Sequence, residues 1–511
     1  MMRTDISAYD CAKESFIGRE KCFYYLGRSF SETETLSRID GVADFFAEKG
    51  IGKGDVVAIN LPNTPECIFT IYALNKLGAI AFITHPLLPA EALKEDIKRT
   101  GAKLLVCMES LTAEVGVPKI LCDGAGFLPF GKRFLARLIR GGKKGEGERF
   151  PYRRRGGRSP SVGRGEDVAL YLPSGGTMGE PKIIEITNRA FNANGYATLT
   201  LAKIPLEGRG VLLILPFFHG FGLSSSLHAS MLGGAEGVIM PYPDYQRAAK
   251  YVKQGKVEII LAVPNMYKKL LAERDFRLGI GKMSLAFSGG DTLPIAMKKE
   301  FDRLAEEAGS PCRLYQGYGL AETVSVCTAN SRGEDKAGTV GKPVLSEIVI
   351  LDEKGETIPV GSVGEIAVKT DCMMKGYLGQ APFCDPYLRT GDIGFLDEEG
   401  YLHFSGRKKR IIVIGGMNVY PLEIERTARE IPFVLEAAAE EYRDGGKPKI
   451  ALFITDKSEF SEEEKTEKIL SYLSKRIIKY ALPTKIIFLS ALPLTPIGKV
   501  DHVALSSRAE L

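Results

Sequence analysis

The chain has 511 residues, 44% of them apolar and 26% charged, and a formal net charge of +5. That length calls for two or more domains, and the composition is that of a globular protein rather than a disordered or fibrous one. No apolar run reaches the ~18 residues of a membrane span, the first residues lack the apolar stretch of a secretory signal, and the nine cysteines contain no Cys-x-x-Cys pair that would suggest zinc. A cytoplasmic protein with free thiols is expected.

In chain order, Ser31-Glu-Thr-Glu34 has the form of a capping box. Leu36, Ile39, Val42, Ala43 and Phe46 follow with helical period, and Gly50 is a stop signal. Val56–Leu61 reads as a strand, Thr64-Pro65 opens a second helix that Gly78 ends, and Ala79–Ile83 is another strand. A third helix over 90–100 leads to the strand Leu104–Cys107. Helices alternating with short apolar strands predict an α/β layer with a largely parallel sheet.

Charge is uneven along the chain. Lys132 to Arg164 contains 12 Lys/Arg and two acids, a local charge of +10, which leaves −5 for the remainder. Phe130, Phe134, Leu135, Leu138 and Ile139 share one helical face beside basic residues. The basic insert, about 130–164, is therefore a candidate contact with an anionic membrane surface. The competing reading is a solvated excursion with one helix packed on the body. Its Gly/Arg run is expected to be mobile. Nucleic acid is set aside, because the aromatics lie on the apolar face rather than among the basic residues.

Val168–Leu172 reads as a buried strand, and Lys182–Thr187 as a second. Between them runs Ser174-Gly175-Gly176-Thr177-Met178-Gly179-Glu180-Pro181-Lys182. Glycines let backbone N–H groups approach a ligand, successive N–H groups form an anion-binding concavity, and Lys182 adds a cation. A phosphate loop and a plain Gly-rich hairpin turn stand level on local composition.

Further apolar strands then end in Gly- or Pro-marked loops. They lead into Pro216-Phe-Phe-His219, Pro264-Asn-Met-Tyr267, Gly289-Gly290-Asp291 and Tyr318-Gly319-Leu-Ala-Glu322. Open α/β sheets bind ligands at such carboxyl ends. From about 338, alternating segments around 347–351, 364–369 and 400–404 predict a small antiparallel unit. A final α+β unit carries a helix near 461–480 and a tail with Pro496-Ile-Gly-Lys499.

The set and order of these pieces resembles the adenylate-forming superfamily, which includes AMP-forming acyl-CoA synthetases. The motifs that carry the resemblance are the 174–182 loop, Leu215–His219, Tyr318–Glu322, Arg389-Thr-Gly-Asp392, Gly406-Arg407, Gly416–Glu423 and Pro496–Lys499. Together they span most of the chain. The resemblance implies a large N-terminal domain of about 1–407, with parallel α/β layers and the antiparallel unit. A small, mobile α+β domain of 408–511 would swing about Lys409.

It also implies the chemistry: ATP and a carboxylic acid give an acyl-adenylate, and the CoA thiol then takes the acyl group. Lys499 would offset the charge where carboxylate meets phosphate. Glu322, with Thr177, would hold Mg²⁺. Ser174, Gly175, Gly176, Thr177, Gly179 and Lys182 would hold the phosphates. Asp392 would take the ribose hydroxyls beside Arg407. Tyr318 and Gly319, with Gly289, Gly290 and Asp291, would border the adenine. His219 would lie near the acyl carboxylate, and Gly416 would border the pantetheine channel.

Met178 and Ala321 replace hydroxyl residues of the usual motifs. A lost hydrogen bond to a charged group costs ~1.5–3 kcal/mol. A non-catalytic nucleotide- or acyl-binding relative is therefore one alternative, and loading of an acyl carrier protein is another. The Leu215–Leu223 stretch has no acid to pair a substrate ammonium. An apolar carboxylic acid, a fatty acid first, is the expected substrate.

Overall fold

A computed structural model describes residues 2–16, 18–111, 113–129, 145–174, 182–414, 417–495 and 500–509. Two compact units emerge: Met1–Glu347 with Lys369–Pro386, and Ile348–Val368 with Tyr387–Leu511. Position 407/408 falls inside the second.

Among the described residues, the first unit is built on two large sheets. One has eight strands in the order Gly376–Tyr377, Ile183–Thr187, Val168–Pro173, Ile80–Ile83, Val56–Asn60, Leu104–Met108, Lys119–Cys122 and Glu148–Arg149. Its neighbours pair in parallel from Val168–Pro173 onward, while Ile183–Thr187 runs antiparallel to both of its neighbours. The other sheet has nine strands. Its parallel centre is Tyr-rich Phe23–Tyr25, then Glu236–Ile239, Gly210–Leu213, Ile259–Ala262, Leu285–Ser288 and Leu314–Gly319. The central strands of both sheets are buried on both faces, which is why they read as continuous apolar runs.

Local signals explain the helices. Ser31 caps Glu32–Glu48 by accepting from the Glu34 N–H at 3.2 Å. The return half of the expected capping box is missing, because the Glu34 carboxylate pairs with Arg28 and Arg38 instead. Thr64 caps Pro65–Lys76, with proline in the first turn as expected. Pro264, read as a turn residue, opens the helix Pro264–Ala272, where its missing N–H costs nothing.

The described part of the basic insert, expected to be mobile, is hydrogen-bonded to the helix Glu32–Glu48. Gly156 N–H donates to the Ser37 carbonyl at 3.1 Å, the Arg158 and Ser159 N–H groups donate to Asp44, and Arg154 pairs with Glu48. A Cβ on Gly41 would come within 2.8 Å of the Arg154 backbone, so a glycine in the Glu32–Glu48 helix is what lets this strap lie flat. Acids on one helix thus anchor this stretch, Glu48 through the Arg154 guanidinium and Asp44 through the backbone N–H groups of Arg158 and Ser159. The amphipathic segment at 130–139 lies outside the described residues.

The second unit carries the antiparallel strands Gly364–Thr370, Leu388–Leu396 and Leu402–Arg407. It continues with the hairpin Ile412–Ile414 and Met417–Val419 and with the sheet Val434–Asp444, Lys447–Asp456 and Lys485–Phe488. Helices Pro421–Arg429, Glu462–Leu473 and His502–Ala509 complete an α+β arrangement, as expected. The helix anticipated to 480 stops at Leu473, and Ser461 with Glu464 forms a reciprocal capping box at its start.

Candidate functional site

In the first unit, Val168–Pro173 and Ile183–Thr187 form an antiparallel hairpin whose last register pair is Pro173 with Ile183. Ser174 and Lys182 close its end. The Ser174 N–H donates to the Lys182 carbonyl at 2.7 Å, and the Lys182 N–H donates to Ser174 Oγ at 3.0 Å. At its two described ends the stretch is thus closed as a hairpin. Gly175, Gly176, Thr177 and Gly179 lie outside the described residues.

Lys182 is exposed, and its Nζ stands 4.4 Å from the centre of the Tyr377 ring. The Tyr377 hydroxyl donates to Glu322 Oε1 at 3.0 Å. Burial first, and the Glu322 charge next, push the phenol well above its ordinary pKa, so it stays a donor. A cation, an aromatic ring and a carboxylate are thereby linked beside the loop's base. Tyr377 was not among the residues picked from the sequence. It arrives through the two-residue strand Gly376–Tyr377, which pairs with Ile183–Thr187.

Glu322 itself sits in the tight turn Ala321–Thr323, and its carbonyl accepts from the Met374 N–H at 2.8 Å. The next residue but one, Val324, has φ 63°. A β-branched residue there is strained by ~1–3 kcal/mol, and such strain clusters at functional positions. Tyr318 and Gly319 end the strand Leu314–Gly319, where the register shifts against Val326–Ala329. A Cβ on Gly319 would lie 1.6 Å from the Ser325 carbonyl oxygen, so that bend requires glycine.

Gly289, Gly290 and Asp291 follow the strand Leu285–Ser288. Gly290 has φ 77°, and the exposed Asp291 accepts from the Thr292 N–H at 2.7 Å. His219 is half-buried, its ring centre 4.6 Å from that of Phe218, which in turn packs at 4.5 Å on His85. The π-helical turn Phe221–His228 follows, a form often found at functional sites. It is pinned by His228, which accepts from the Tyr72 hydroxyl at 2.9 Å and meets Asn192 Oδ1 at 3.0 Å. The Asn oxygen requires the proton on Nε2, and burial lowers the ring's pKa to about 3, so His228 is neutral.

In the second unit, Asp392 is buried and sits directly across the ladder from Arg407, Nε to Oδ1 at 3.5 Å. Thr390 Oγ1 accepts from the Asp392 N–H at 3.1 Å. Behind them, Glu365 accepts from Arg389 at 2.6 Å and from Lys408 at 3.1 Å. Burial pushes that carboxyl up, but the two cations outweigh it and hold it below its ordinary range. Lys409 is exposed in the turn Lys408–Arg410, whose Arg410 is tied to Glu425 at 2.9 Å. Gly416 and Lys499 lie outside the described residues. Leu494 and Val500, on either side of the latter, form an antiparallel bridge.

No group of three or more His, Cys, Asp or Glu side chains that could hold a metal occurs among the described residues. A magnesium ion needs less. It accepts a single carboxylate oxygen and fills its other positions with water and phosphate. Glu322 has a second oxygen besides the one Tyr377 engages.

The AMP-binding enzyme family profile matches residues 13–378, and the chain belongs to that family. A long-chain-fatty-acid–CoA ligase of Bacillus subtilis is 27% identical over 93% of this chain and 89% of its own. A 4-coumarate–CoA ligase of Oryza sativa is 26% identical over 98% and 92%. The crystal structure of ATP-bound MatB from Rhodopseudomonas palustris shares the fold, with a TM-score of 0.85 at 22% identity over 99% of both chains.

Proposed function

We propose that the protein activates an apolar carboxylic acid, a fatty acid first, as its acyl-adenylate and transfers it to CoA. Adenylate-dependent acyl- or aryl-CoA ligation is the activity its family and relatives support. The observation that carries the reading is the Lys182–Tyr377–Glu322 chain beside the Ser174–Lys182 loop. Lys182 would neutralise phosphate oxygens, and Tyr377 would fix the Glu322 carboxylate. Glu322 and Thr177 would hold Mg²⁺, which supplies charge neutralisation to the phosphates.

The remaining roles follow the sequence reading. Tyr318, Gly319 and the Gly289–Asp291 turn would border adenine. Asp392 would accept ribose hydroxyls, with Arg407 holding it. Lys499 would meet the carboxylate and the α-phosphate together. Lys409 would serve as the hinge, and Gly416 would border the path of the pantetheine arm.

The substrate class rests on the Pro216–Leu223 segment. Phe217 and Phe218 are buried, and Phe221 lies 3.3 Å from where a Gly289 Cβ would be. No acid stands in this stretch to pair an ammonium group. The test is a panel of fatty, aryl and amino acids offered with ATP, with CoA or a holo-carrier protein as acceptor. Apolar acids with CoA should give the fastest acyl transfer. Preference for an amino acid, or for the carrier protein, would overturn the assignment.

A further inference from the structure

The parallel strands Leu104–Met108, Lys119–Cys122 and Glu148–Arg149 end beside a cavity of about 840 Å³. It lies toward the opposite edge of the eight-stranded sheet from the Val168–Thr187 hairpin. Among the described residues, six arginines line it, against two carboxylates, Glu109 and Asp123. One of the six, Arg154, is taken up by Glu48.

Three others converge on a single acid. Arg28, Arg38 and Arg155 all contact Glu34, the last two at 3.3 and 3.6 Å. One carboxylate among three guanidinium groups leaves an excess of two positive charges. Arg38 is 7% exposed. Its Nη groups reach the Tyr152 carbonyl and Glu34, while its Nε has no hydrogen-bond partner among the described residues. Burial first, and the Arg155 charge next, pull its pKa down. Arg149 and Arg153 also line the cavity, and no ion pair joins either to an acid among the described residues.

Like charges held this close are costly unless an anion joins them. The wall that carries them is fixed. Tyr152 donates to the buried Glu66 at 3.0 Å and accepts from the Asp123 N–H at 2.8 Å. Its ring and Phe150 pack on Phe127, over which Arg28 and Arg38 also lie. Planar guanidinium groups match the oxygens of a phosphate in pairs, and the volume is that of a small-molecule site.

We propose that this cavity binds a phosphate-monoester dianion, at a site separate from the nucleotide loop. A soluble organic phosphate and a lipid headgroup share that chemistry, and the experiment distinguishes them. The full chain is titrated calorimetrically with sn-glycerol 3-phosphate, and is co-sedimented with phosphatidylcholine vesicles with and without phosphatidic acid. Arg28→Gln/Arg155→Gln should weaken binding by roughly tenfold or more, the equivalent of one charged hydrogen bond. Arg153→Gln/Arg155→Gln, confined to exposed positions, should do likewise if the first variant fails to fold. Lys182→Ala should leave it unchanged.

Binding of glycerol phosphate that the arginine variants weaken supports a soluble ligand. Binding to phosphatidic acid vesicles alone, weakened in the same way, supports a headgroup. No binding of either probe overturns the proposal. So does binding that the arginine variants leave intact, or that Lys182→Ala abolishes. No turnover is read, so the outcome is independent of the proposed ligase activity.

Discussion

A Cβ on Gly220 would lie 1.6 Å from the carbonyl oxygen of Val324. The turn after His219 and the strained residue after Glu322 and Thr323 are therefore in direct backbone contact. Gly220 has helical dihedrals, so glycine is required here by the close approach and not by its φ. The hydroxyls of Ser225 and Ser325 meet at 2.9 Å in the same seam, and Asn194 Nδ2 donates to the Thr323 carbonyl at 3.3 Å. Two segments far apart in sequence thus share one rigid seam.

Gly220→Ala should force that seam apart. Overpacking a well-ordered interior costs about 1–3 kcal/mol, and the clash is with backbone that cannot rotate away. A lowered melting temperature together with reduced adenylate formation is expected. An unchanged melting curve and unchanged activity would show that the contact is not maintained in solution.

Tyr377→Phe removes the hydroxyl donated to Glu322 while keeping the ring that faces Lys182. A hydrogen bond to a charged group is worth ~1.5–3 kcal/mol. The expected result is a roughly ten- to hundredfold loss in adenylate formation, relieved in part by raised magnesium. Measuring initial rates across a magnesium titration checks it. A variant with the wild-type rate and magnesium dependence would remove Tyr377 from the account.

Much of this was legible in the sequence, and the exceptions have physical causes. The buried strands and the Thr64–Pro65 helix start follow from local patterns, and so does the bend at Ser174. Tyr377 was not legible, because its position depends on pairing with a strand nearly two hundred residues earlier in the chain. The Gly/Arg strap was read as mobile because composition does not reveal that Ser37, Asp44 and Glu48 line one helix to receive it. Glu34 looked like a capping residue until Arg28 and Arg38 competed for it.

Glu66 was also hidden. It is buried beside Tyr152, and burial raises its pKa from 4.5 to about 7. The folded state therefore holds a proton that the unfolded chain gives up. Stability from this group is full below about pH 4.5 and is lost as pH rises through about 7. Glu66→Gln cannot ionise and still accepts from Tyr152. The variant's stability relative to the wild type should grow with pH across that window, by on the order of 3 kcal/mol. Denaturant unfolding of both proteins at acidic and alkaline pH checks this. Parallel stability curves would contradict it.

Lys499→Ala should abolish formation of the acyl-adenylate and leave thioester formation from supplied acyl-adenylate largely intact. This split follows if the lysine serves the first half-reaction alone and the C-terminal segment swings between the two. Measuring the half-reactions separately checks it. Equal loss of both would count against a moving lid.

The central claim is that a carboxylic acid reacts at the α-phosphate of ATP. Acid-dependent exchange of pyrophosphate into ATP, measured without CoA, tests it most directly. The account predicts exchange that requires an apolar acid and magnesium, followed on adding CoA by stoichiometric AMP and acyl-CoA. Absence of acid-dependent exchange, or release of ADP in place of AMP, would contradict it.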